Sequence, residues 1–147
     1  MIIREMQIDD LEQVIAIEER LFSKPWTLNG FFSFFVREDA LFLVAEEGGE
    51  ILGYCGVLTA LAQGDVLNVG VRPDLQGQGI GRRLVGALIK KMDERGVSSL
   101  YLEVRTSNQA AIGLYEASGF KEVGRREGYY EAPKEDAVLM CRTSGRP

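Results

Sequence analysis

The sequence predicts an α/β (α+β) fold in a single domain spanning residues 1–147, and three observations carry that reading. Short apolar runs alternate with amphipathic stripes at helical spacing, so strands and helices are interleaved along the chain. Gly48-Gly49 separates two apolar runs as a hairpin turn does, which pairs the early strands antiparallel. From residue 66 to residue 118 the order strand, loop, helix, strand, helix implies a βαβ crossover.

Ile2 to Glu5 reads as a first strand. Asp9 offers an N-cap with Glu12 three residues on, and Leu11, Val14, Ile17 and Leu21 recur on one helical face. Lys24-Pro25-Trp26 interrupts that pattern before Thr27 caps a second, aromatic-rich helix ending near Glu38. Residues 40–45 and 51–60 flank the Gly-Gly turn as hairpin strands, and 66–71 form another strand stopped by Arg72-Pro73. Gly79 or Gly81 opens a long helix with Ile80, Leu84, Leu88 and Met92 on one stripe, and Gly96 ends it. Leu100, Leu102 and Val104 then alternate with Tyr101, Glu103 and Arg105 at strand period. Asn108 caps a short helix running to Ser118 and closed by Gly119, and residues 121–126 and 137–142 complete the strands.

Composition removes several classes of chemistry. The 147 residues contain no histidine, which excludes Ser-His and Cys-His nucleophiles and argues against a metal centre of the usual zinc type. Cys55 and Cys141 are too few for a disulfide framework and lack C-x-x-C spacing, so a reduced, cytoplasmic setting is expected. No apolar run approaches the ~20 residues of a membrane helix, and the N-terminus has no signal-peptide order, so no membrane partner is expected. The net charge of −5 disfavours a nucleic-acid partner and suits a cationic substrate.

The most informative stretch runs from Val69 to Arg82, where a strand ends, glycines 77, 79 and 81 alternate, and a helix begins. Glycine lets a backbone approach a ligand closely, and the free N–H groups and partial positive charge of a helix N-terminus favour an anion. Arg82 and Arg83 add charge in the first turn. The P-loop pattern is absent, and the dinucleotide G-x-G-x-x-G pattern fails because Arg82 stands where its last glycine belongs. What remains, Gln76-x-x-Gly79-x-Gly81, resembles the pyrophosphate loop of the GNAT superfamily of N-acetyltransferases.

That resemblance implies a mixed, twisted sheet flanked by helices, with acetyl-CoA bound where two central strands splay apart. It implies that the backbone of Gly77, Gln78, Gly79, Ile80, Gly81 and Arg82 holds the coenzyme diphosphate. The backbone of Val69, Gly70 and Val71 would pair with the pantetheine arm like an added strand. Taken alone, Gly70 marks either a strand bulge or a close backbone approach.

The segment from Leu102 to Phe120, Leu-Glu-Val-Arg-x-Ser-Asn-x-x-Ala-Ile-x-Leu-Tyr-Glu-x-x-Gly-Phe, is similar to that of the RimI-type ribosomal-protein alanine N-acetyltransferases. Through that likeness Glu103 takes the role of general base, Tyr115 that of general acid for the coenzyme thiolate, and Asn108 a coenzyme contact. Pro25-Trp26 and Tyr129-Tyr130 match aromatic positions of the substrate side. Two departures stand out: Gly77 replaces a commonly basic loop residue, and Gly128 precedes the tyrosine pair where bulkier residues are usual. The implied partner is a protein or peptide N-terminus, such as that of a ribosomal protein.

Elementary chemistry leans the same way. At pH 7 roughly one α-amine in seven is neutral but only about one lysine in 2,500, so a carboxylate base suits an N-terminus better than a lysine. Acetylation of lysines or small amines, a catalytically silent CoA-binding module, and an ATP-binding use of the glycine loop are the competing readings. With no histidine to activate Cys55 or Cys141, direct attack in a ternary complex is expected rather than an acetyl-enzyme.

Overall fold

A computed structural model describes residues 1–144. Its elements are β1 (Ile2–Glu5), a 3-10 turn (Ile8–Asp10), α1 (Leu11–Leu21), α2 (Leu28–Phe35), β2 (Ala40–Glu47), β3 (Glu50–Ala60) and β4 (Gln63–Val71). A second 3-10 turn (Pro73–Leu75) leads to α3 (Ile80–Glu94), β5 (Ser99–Arg105), α4 (Gln109–Ala117), β6 (Lys121–Tyr130) and β7 (Glu135–Thr143). The strands form one mixed sheet in the order β1-β2-β3-β4-β5-β7-β6, and β4–β5 is its parallel pairing. Among the described residues no helix is long and apolar enough to cross a membrane.

Each sheet face carries its own core. Leu84, Leu88 and Met92 of α3 pack with Leu100, Leu102 and Val104 on one face, and the strand alternation of β5 places Glu103 on the other. Beneath α1 and α2, Val14, Ile17 and Phe31 cover Phe42, Val44 and Tyr54. The central strands β2 and β3 are buried between helical layers, whereas the edge strand β6 is largely exposed.

That parting is the feature that matters most. β4 pairs with β5 only at Gln63, Gly64 and Asp65, although it continues alongside β3 to Val71. In the β3–β4 ladder Cys55 faces Val69 while Val57 faces Val66, so β4 carries one extra residue around Leu67 and Asn68. A bulge bends its strand and sharpens the local twist, and this one lies just past the last pairing with β5. Gly70 is not the bulge. It is glycine because the Tyr54 ring lies against it: a Cβ there would sit 2.6 Å from Tyr54 Cε1.

Other boundaries differ from expectation for local reasons. The cap before α1 is Asp10 rather than Asp9. Its carboxylate accepts the Gln7 N–H at 2.7 Å and both Arg4 guanidinium nitrogens at 2.8 and 2.9 Å. These bonds, Arg4 first, hold the Asp10 carboxyl below its ordinary value despite burial. Thr27 caps α2 as expected, accepting from Gly30 N–H at 3.0 Å, but α2 ends at Phe35 rather than near Glu38. β6 and β7 run beyond the residues their apolar runs suggest, because their mutual pairing continues to Tyr130 and Glu135.

Candidate active site

Where β4 and β5 diverge, a cleft of about 650 Å³ opens, walled by residues 66–69 of β4 and 102–105 of β5. Edge N–H and C=O groups of both strands have no strand partner across this gap, so it can accept an extended ligand through main-chain hydrogen bonds. Among the expected site residues, Glu103, Tyr115, Asn108, Val69, Trp26, Tyr129 and Tyr130 all line it.

Glu103 rises from β5 with its side chain 29% exposed, and Oε1 lies 3.9 Å from Arg126 Nε of β6. Tyr115 comes from α4 and is 8% exposed, its ring edge-on to Phe120 at 5.7 Å. Burial first, then the neighbouring Cys55 and Tyr130, push its phenol well above the ordinary tyrosine value, so it stays protonated. The ring is nearly buried, and the residue lines the cleft. Asn108 Oδ1 caps α4 by accepting Ala111 N–H at 3.2 Å, which leaves its amide NH₂ available to the cleft.

The far wall is aromatic and cationic. Tyr129 and Tyr130 stand perpendicular with centroids 5.0 Å apart, and Arg105 lies 4.4 Å over the Tyr130 ring. Arg105 is itself held, donating to Pro133 O at 2.8 Å and Glu135 Oε1 at 3.3 Å. Glu135 also accepts the Ser107 N–H at 2.6 Å and the Thr106 hydroxyl at 3.0 Å, and bonds to Ser107, Thr106 and Arg105 hold its carboxyl down to about 2. Burial, with Tyr129 and Glu103 nearby, pushes Tyr130 up to about 12. Trp26 does double duty. It lines the cleft and stacks on Phe34 at 5.0 Å, fastening the α1–α2 link to α2.

The glycine loop lies at the other end of the exposed β4 edge. Gly77 and Gly79 have φ of +82° and +85°, with open space where a side chain would stand. Gly79 is the N-cap of α3, and among the described residues no N–H of residues 77–82 donates to a protein acceptor. The loop is tied to the end of β4 by Gln76 Nε2, which donates to Val71 O at 3.3 Å. Gly81 packs near Val71 and Leu114, so the loop, β4 and α4 meet there. The Ile80 side chain is buried in the core, so only its backbone faces outward. A diphosphate fits this arrangement: unpaired N–H groups at a helix N-terminus, without side chains in the way.

Sequence reading passed over Glu18, Asn68 and Tyr54. Glu18 sits on α1 and is 1% exposed, yet it borders the cleft. Its carboxylate accepts the Trp26 N–H at 3.1 Å, the Asn68 amide at 3.0 Å and the Tyr54 hydroxyl. Burial and the Glu18 charge hold the Tyr54 phenol far above its ordinary range. The available signal was a charged residue four positions after Val14, on the apolar stripe of α1.

Comparison with known proteins agrees with this fold. Residues 8–120 match the acetyltransferase (GNAT) family. The chain is 37% identical over 141 residues to the [ribosomal protein bS18]-alanine N-acetyltransferase of Escherichia coli (strain K12), covering 95% of each. It is 37% identical over 144 residues to the N-alpha-acetyltransferase RimI of Mycobacterium tuberculosis, covering 94% of this chain and 89% of that one. The crystal structure of the ribosomal-protein-S18-alanine N-acetyltransferase from Escherichia coli superposes with a TM-score of 0.93 at 35% identity, covering 99% of this chain and 95% of that chain.

Proposed function

The chain belongs to the acetyltransferase (GNAT) family and is an acetyl-CoA-dependent N-acetyltransferase, and on that premise we propose that its acceptor is a protein N-terminus, the N-terminal alanine of a ribosomal protein. We take the whole chain as one catalytic domain working in the cytoplasm. The observation that carries the reading is the parting of β4 from β5, which brings Glu103 and Tyr115 into one cleft. The identities to ribosomal-protein alanine acetyltransferases support the acceptor class.

In this reading the N–H groups of residues 77–82 hold the diphosphate of the coenzyme, and the open edge of Val69, Gly70 and Val71 aligns its pantetheine arm. The free amide of Asn108 adds a contact from α4. Acetyl-CoA supplies the activated acetyl thioester. Glu103 removes a proton from the attacking α-amine as the C–N bond forms. Tyr115, protonated because it is buried, donates to the sulfur as the C–S bond breaks. Trp26, Tyr129 and Tyr130 shape the acceptor side.

The test is acetylation of a peptide library varied at its first residue, with mass spectrometry locating the product. Alanine-first peptides should be modified on the α-amine. Glu103→Gln should lower kcat/KM by about 10²- to 10⁴-fold with the fold intact. Products confined to lysine side chains would defeat the acceptor assignment.

A further inference from the structure

The mechanism above leaves Glu18 unused, and its electrostatics are unusual. The other charged side chains bordering the cleft have ionic neighbours: Lys24 with Glu131 at 2.8 Å, Arg105 with Glu135 at 3.3 Å, and Glu103 with Arg126 at 3.9 Å. Glu18 has none among the described residues. Its three partners are the neutral donors of Trp26, Asn68 and Tyr54, and it is 1% exposed. A carboxylate buried without a counter-ion is destabilising, and hydrogen bonds offset only part of that cost. An apolar residue would orphan these three donors, so hydrogen bonding explains an acceptor on the α1 face, but it gives no reason for a charge without a counter-ion.

Its position gives one. Glu18 gathers the elements that frame the acceptor end of the cleft: α1, the α1–α2 link through the Trp26 backbone, and the β4 bulge through Asn68. The extra residue at that bulge brings the Asn68 side chain onto the Glu18 carboxylate. We propose that Glu18 is the counter-charge for the acceptor: a positioning residue whose field holds the cationic α-ammonium in the cleft while its hydrogen bond to Trp26 keeps the adjoining wall in place. This rests on the reading that the acceptor is an α-amine.

The test compares binding of two peptides to protein loaded with CoA, which has no acetyl group to transfer. One peptide begins with alanine, and the other is its desamino analogue, with a propionyl group in place of the alanine. Wild type should prefer the amine peptide by well over tenfold, since Glu103 and Glu18 both act on the ammonium and one unit charge at roughly 10 Å in an effective dielectric near 20 gives about tenfold by itself. In Glu18→Gln that preference should fall by about tenfold, to what Glu103 alone sustains, while the desamino peptide binds as to wild type, and Glu18→Asp should retain the full preference. A purely structural role would weaken both peptides equally and leave the ratio unchanged, and that result overturns the proposal. Where Glu18→Gln does not fold, the ratio is read in Glu103→Gln. A preference that survives loss of the Glu103 charge supports Glu18, and one that vanishes overturns it. Acetylation of the alanine peptide by wild type is measured alongside. Its failure sinks the acceptor assignment, whereas turnover with an unchanged ratio in Glu18→Gln sinks only the role of Glu18.

Discussion

Tyr115→Phe removes one oxygen and separates chemistry from stability. The oxygen takes no part in the edge-on packing of the nearly buried ring. The ring keeps its edge-on contact with Phe120. Stability should therefore change by no more than about 0.5 kcal/mol. Catalysis should change far more, because the coenzyme sulfur would leave without a proton donor. A positioned general acid contributes about 10²- to 10⁴-fold, so kcat should fall at least about 100-fold, close to 2.7 kcal/mol of barrier. The pH dependence has a definite sign. The Tyr115 pKa is raised above 10.0, so its proton-bearing form persists through neutral and mildly alkaline pH, and kcat in wild type should show no alkaline loss from this group below pH 10. Release of CoA thiol from acetyl-CoA and an alanine-first peptide, with thermal melting alongside, measures both quantities. A folded Tyr115→Phe protein that keeps more than about a third of the wild-type kcat would refute the assignment.

Gly79→Ala forces a side chain onto a φ of +85°, at a cost of about 1–2 kcal/mol, and intrudes on the anion site, so CoA affinity by calorimetry should drop at least about tenfold. Unchanged affinity would show that the loop does not hold the diphosphate. Gly70→Ala drives a Cβ to 2.6 Å from the fully buried Tyr54 ring, and urea denaturation should show a loss of about 1–3 kcal/mol. For Glu135, the folded pKa lies below the ordinary 4.5, so its contribution is complete above about pH 4.5 and is lost as pH falls toward about 2. Glu135→Gln should accordingly be less stable than wild type at pH 7, with the gap closing across that window in urea titrations at each pH.

Local rules made much of this molecule legible. Thr27 and Asn108 cap their helices as their side chains allow, and Gly79 opens α3 because only glycine readily adopts that left-handed geometry. The alternation of β5 puts Glu103 opposite Leu102, since successive strand residues must face opposite ways. That Tyr115 lines the same cleft as Glu103 follows from no local rule, and only the family likeness pairs the two. The choice between Asp9 and Asp10 shows where local rules stop. Both precede the same apolar stripe, and Arg4 and Glu46, distant in sequence or on another strand, select Asp10.

The sequence by itself determined the order and type of the elements and the open glycine loop at the start of α3, because periodicity, capping and glycine conformation act within windows of a few residues to four turns. Only the tertiary structure decided that β4 leaves β5 after Asp65, that the bulge falls at Leu67 and Asn68 rather than Gly70, and that Glu18 is an unmatched charge beside the cleft. Those outcomes depend on which distant residues pair, pack and shed water together, and no short window contains that information.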